Sequence, residues 1–258
     1  MKIQYTMYKI TPFLYITNIM NLKKDCHPYK LIEFAFIAGF LLIPPLFANS
    51  VSDVQIKNPF SWNVIICFLI SVILYIQHKF DNRSVKKESV FLQNVMNSAF
   101  FFKTFGCLVV TFACLNYLCR SFGWNKNGLD VDFSQSNPFA ILLTFLFTCF
   151  YEEIVYRLYF PEFLKEIFTF KNSVLILEII PVAVFAFSHR YMGWTAVFNA
   201  FAAGFFLRRT FLKTHSIFTC FACHFFYNAF VFLLACFIHW FLQVQESCWM
   251  SMRLNIHC

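Results

Sequence analysis

The sequence predicts an all-α, polytopic transmembrane helical bundle of about seven to eight spans, and three observations carry that prediction. Hydrophobic residues make up 59% of 258 positions and charged ones only 13%, against roughly 45–50% and about 25% in a soluble domain. Phenylalanine alone fills 39 positions. The apolar residues fall into long runs separated by short basic connections. A water-soluble fold of this size cannot hide so much apolar surface, whereas lipid accommodates it. Cytosolic enzyme, disordered tail and disulfide-rich secreted module are therefore poor descriptions. No nucleic-acid partner is expected either, because the cations behind the net charge of +8 are scattered between the runs rather than gathered into a patch.

A bilayer core of about 30 Å needs about 20 largely apolar residues per helix, and seven runs qualify in turn. The first two cover about 32–49 and 59–77. The third, 98–119, is interrupted by Lys103, and the fourth, 138–164, is long enough to tilt or project. The fifth, 173–190, holds Pro181, where a kink is expected. The sixth, 194–212, carries Ala200 and Gly204, a small-xxx-small face for close helix packing. The seventh is 216–242. Lipid-exposed backbone must satisfy its own hydrogen bonds, so each run is a helix. Residues 1–137 form N-terminal spans of unassigned role, 138–242 a catalytic helical core, and 243–258 a C-terminal tail. The first thirty residues lack the apolar core of a cleavable signal peptide, so the first span is expected to target the chain.

Counting Lys and Arg in the connections orients the bundle. With the N-terminus inside, the inner segments hold 15 of the 21 cations and the outer ones 5, with Lys103 unassigned. The N-terminus is thus expected in the cytoplasm and the C-terminus outside. Of the eleven cysteines, Cys67, Cys107, Cys114, Cys149 and Cys236 lie inside apolar runs, where Cys behaves as a small hydrophobe. No loop carries the spaced pairs of a disulfide framework.

Ionisable groups inside spans cost several kcal/mol each and so mark function. In the fourth span, Glu153 and Arg157 are four apart and face each other. Glu152 points about 100° away and needs a partner from another span. Two spans offer one: the fifth ends in His189, and the seventh carries His224 and Asn228 one turn apart. Measured from the cytoplasmic ends of their helices, Glu152 lies about 21 Å deep, His189 about 24 Å, His224 about 12–14 Å and Asn228 about 18–20 Å. The groups can therefore converge. Glu178 lies near the same helical face as His189, where a structural role is preferred to a place in the cavity.

Glu152-Glu153-x-x-x-Arg157, then Phe185-x-x-x-His189, then His224-x-x-x-Asn228, in that order on successive apolar helices, resembles the CPBP intramembrane proteases. These are also known as the type II CAAX prenyl protease and bacteriocin-immunity (Abi) family. The resemblance covers about residues 138–240. It implies an endopeptidase, in a bacterial plasma membrane, acting on a peptide or protein substrate that in characterised relatives carries a prenylated cysteine. Glu152 and His189 would activate a water, His224 and Asn228 would stabilise the oxyanion, and Glu153 with Arg157 would support the helix. The cofactor is left open between none and zinc, a zinc ion falling to Glu152, His189 and His224. A catalytically idle scaffold or immunity protein of the same fold is the rival description. A small transporter is disfavoured, since no inverted repeat is visible. Cys220-x-x-Cys223-His224 formally fits a haem-attachment pattern, but its place inside a Phe-rich helix argues against one.

Overall fold

The computed structural model describes residues 21–22, 28–47, 62–81, 90–123, 137–169 and 174–254, and seven helical stretches account for nearly all of them. Helix α1 runs over residues 28–47, with a π turn at Ala38–Leu42. Helices α2 (Trp62–Asp81) and α3 (Val90–Ser121) follow. Helix α4 covers residues 138–167 and contains a second π turn at Ile154–Tyr159. Helix α5 is Val174–Phe187, α6 is Trp194–Thr214 and α7 is Ile217–Leu254. A two-residue antiparallel pairing of Asn21–Leu22 with Phe168–Thr169 completes the description.

The all-α bundle is as expected, but fewer helices qualify as full spans. Among the described residues, five helices are long and apolar enough to cross a membrane: α1, α2, α3, α4 and α7. Helix α5 falls short because its 14 residues reach only about 21 Å at the helical rise. Helix α6 is long enough, but its last two turns hold Arg208, Arg209 and Lys213. The expectation of seven to eight spans is corrected on those two grounds. Helix α7 also continues to Leu254, well past the expected end at 242. Lys103, expected to interrupt the third run, is exposed on an unbroken α3.

Both π turns lie just upstream of proline. A helical proline has no N–H for the carbonyl four residues back, and its ring crowds that same carbonyl. Widening the preceding turn relieves the crowding. In α1 the prolines are Pro44 and Pro45; in α4 it is Pro161, fully buried. Pro181 instead lies within α5, which continues through it.

The ends are locally specified. Asn137 caps α4 by accepting the Phe139 N–H at 2.9 Å, and Pro138 takes the first helical position, where no N–H is needed. Gly193 at φ +95° turns the chain into α6. His215, in the left-handed conformation, ends α6, and Ser216 receives the Thr219 N–H to start α7.

Helix α4 packs against α2 and α7, and its π turn reaches α5 and α6. Helix α6 packs against α3, α5 and α7. Gly204 makes the α5–α6 approach possible, since a Cβ there would stand 3.1 Å from Phe185 and 3.2 Å from Val182. The Ala200–Gly204 face thus serves the close packing read from its spacing. The outward faces carry Ile73, Phe102, Phe198, Phe201, Phe226 and Phe237, all exposed, as lipid contact requires. At the Glu166 end of α4, a polar cleft of about 290 Å³ opens between α1, α2 and α4. It is braced by Lys30 with Glu166 and by His78 with Glu162, the latter at 3.0 Å.

Candidate active site

The last turn of α4 before the widening carries Glu152 and Glu153, both buried. Helix α7 brings His224 against them. Its Nδ1 lies 2.8 Å from Glu153 Oε1 and its Nε2 lies 3.7 Å from Glu152 Oε2. A carboxylate accepts and cannot donate, so Nδ1 carries the proton and Nε2 faces Glu152. The partner that Glu152 needed from another span is therefore His224.

Glu153 has two neighbours. Arg157 Nε stands 3.2 Å from its other oxygen, and both side chains are fully buried. The contact is electrostatic rather than a directed hydrogen bond. Among the described residues no side-chain nitrogen of Arg157 finds an acceptor. The guanidinium instead lies over the Phe185 ring at 4.5 Å. Glu153, expected to support the helix, thus contacts both Arg157 and His224.

His189 sits just past the end of α5. Its Nδ1 donates to the Phe185 carbonyl at 2.8 Å, with Ser188 Oγ at 3.3 Å. A carbonyl only accepts, so the lone pair is left on Nε2. The Phe185 ring touches both imidazoles, its centroid 4.8 Å from His189 and 5.9 Å from His224. Phe185 is 1% exposed and joins the two histidines and Arg157 into one cluster. The contact between His189 and this cluster runs through that ring.

Asn228 donates to Cys149 Sγ at 3.3 Å. Cys149 is completely buried, as expected of a small hydrophobe, and its thiol is also a polar neighbour of the cluster. The signal was present, because Cys149 lies three residues before Glu152 and so near the same helix face. Tyr191, in the connection between α5 and α6, was also missed. Burial, and then the charge of Glu152, push its phenol above the usual range. Its neighbourhood to Glu152 had no counterpart in the spacing of residues.

The remaining groups have partners of their own. Glu178 is bound by Arg208 of α6, with Lys165 3.7 Å away. Cys220 and Cys223 point their thiols at backbone carbonyls of Leu207 and Phe101. Among the described residues no three or more His, Cys, Asp and Glu side chains are grouped to hold a metal ion. Both His224 and His189 direct Nδ1 to an oxygen, of Glu153 and of the Phe185 carbonyl, and so keep Nε2 for another partner.

Five helices long and apolar enough to cross a membrane define an integral membrane protein, and Glu152, Glu153, Arg157 and His224 are buried within it. Residues 134–230 match the family model of the Rce1-like type II CAAX prenyl endopeptidases. The match contains Glu152, Glu153, Arg157, His189, His224 and Asn228. No curated protein and no solved structure matches the chain.

Proposed function

We propose that the protein is a membrane-embedded endopeptidase that hydrolyses a peptide bond with a water activated by Glu152. The observation that carries this reading is His224 held between two carboxylates of α4, at 2.8 Å on one ring nitrogen and 3.7 Å on the other. Two carboxylates and one guanidinium leave an excess negative charge that a protonated His224 balances. In that state Nε2–H becomes a donor beside Glu152. Glu152 takes a proton from the attacking water, whose oxygen bonds to the scissile carbonyl carbon. The carbonyl oxygen becomes an oxyanion, and His224 Nε2–H with the second N–H of Asn228 stabilises it. Collapse of the intermediate breaks the C–N bond, and the proton held on Glu152 passes to the leaving amine. His189 Nε2, bearing its lone pair, is a second acceptor for the water.

The substrate in this reading is a peptide or protein with a prenylated cysteine near the cut, a class supported by the family match over 134–230. The proposed orientation keeps the N-terminus in the cytoplasm, and the proposed location is a bacterial plasma membrane. Proteolysis of a panel of prenylated and unprenylated peptides by purified protein tests the function. Cleavage by the wild type and none by Glu152→Ala, with equal membrane insertion, is the expected result. Wild-type rates from Glu152→Ala would overturn the base assignment.

A further inference from the structure

Arg208 of α6 is a charged residue only 4% exposed. Its Nη1 donates to the backbone carbonyl of Arg157. Its Nε and Nη2 engage both oxygens of Glu178, the second at 2.9 Å. The carbonyl it chose has a particular history. In an uninterrupted α-helix Arg157 C=O would receive the N–H of residue 161, and residue 161 is proline. That carbonyl is deprived of its ordinary donor and lies where the proline ring presses. A buried carbonyl without a donor is costly, so a partner from outside the helix is needed. Arg208 supplies it from α6 while Glu178 of α5 holds the guanidinium in place.

We propose that Arg208 is a positioning residue for the candidate active site: by replacing the N–H missing at Pro161 it fixes the π turn at Ile154–Tyr159. The inference rests on the reading of Glu152 and His224 as the catalytic pair. Glu153 precedes this turn and Arg157 lies within it. Their ion pair spans the start of the widened segment, and Glu153 in turn orients His224. A shift of the Arg157 carbonyl therefore travels through two side-chain contacts to His224. Arginine suits the task because its fork reaches a carbonyl and a carboxylate together. A lysine keeps the charge toward Glu178 but cannot do both.

The test is a double-mutant cycle on the full-length protein, combining Arg208→Lys with Pro161→Ala, which restores an N–H at position 161. Two readouts are taken. The first is the ¹⁵N spectrum of histidine-labelled protein, in which the His224 ring nitrogens report the bond to Glu153. The second is the peptidase rate. Arg208→Lys should move the His224 ring signals and lower kcat about tenfold to a hundredfold with KM unchanged. Adding Pro161→Ala should return the His224 signals toward the wild type and recover part of kcat. Unmoved His224 signals in Arg208→Lys, or strictly additive effects of the two substitutions, would overturn the proposal. If Arg208→Lys does not fold, Glu178→Gln, which weakens the hold on the guanidinium, serves in the same cycle with the same criteria. A wild-type protein that cleaves no peptide but shows the His224 coupling would retain the clamp and remove the endopeptidase reading.

Discussion

Glu152 and Glu153 are neighbours in sequence with different fates, and α-helical geometry explains the difference. A residue step of about 100° turns Glu153 toward Arg157 and His224 Nδ1, and leaves Glu152 to the other ring nitrogen. Substitution should separate the two. Glu153→Ala strands a buried guanidinium, a change that costs about 3–5 kcal/mol in protein interiors, and should lower both the melting temperature and the folded yield. Glu153→Gln keeps an acceptor for His224 and should recover part of that loss. Equal stability of Glu153→Ala and wild type would show that the Arg157 pair contributes nothing. The four-residue spacings made Glu153–Arg157, Phe185–His189 and His224–Asn228 legible in the sequence. Tyr191 near Glu152 and Arg208 on the Arg157 carbonyl were not, because each contact joins different helices or a helix to a loop. No local pattern encodes such a contact.

Helices were legible where hydropathy alone specifies them, and less so where proline or charge intervenes. The starts of α4 and α6 fall where the apolar runs begin, whereas the shortness of α5 and the length of α7 were misjudged. The two π turns were not foreseen, since a hydropathy run does not register how the backbone accommodates Pro161 or the Pro44–Pro45 pair. The sharpest packing constraint between helices is Gly204. Its absent side chain leaves room for Phe185, whose ring touches both histidines. Gly204→Ala would require Phe185 or Val182 to give by a few tenths of an ångström. It should reduce peptide cleavage more than it reduces thermal stability, because the moved ring belongs to the cluster. The same substitution at Gly106, where a Cβ meets nothing within 4 Å, should leave both unchanged. Matched effects at the two glycines would remove Phe185 from its central role.

At the scale of the whole molecule, orientation is the property to test. Arg208 is buried, whereas Arg209 and Lys213 are exposed and count toward the proposed cytoplasmic face. Cysteine-accessibility labelling should report position 209 from the cytoplasmic side and position 126 from the opposite side. Position 126 lies outside the described residues, and finding it cytoplasmic would reverse the proposed orientation. The widened turn of α4 has a consequence for chain length. A loop closed from residue i to i+5 holds one residue more than an ordinary helical turn. The segment Phe160–Ile167 is thus phased as though the chain before it were one residue shorter. The carboxylates facing His224 and those facing Lys30 and His78 therefore answer to two separate angular counts along one rod. Deleting one residue within Ile154–Tyr159 should leave both sets of faces aimed as they are, at the expense of the Arg157 contacts. Deleting one residue from 142–148 should swing Glu152, Glu153 and the cleft carboxylates together by about 100° against the start of α4. A series of single-residue deletions, scored by folded yield, should therefore show a narrow tolerant window at the widened turn and intolerance on both sides of it.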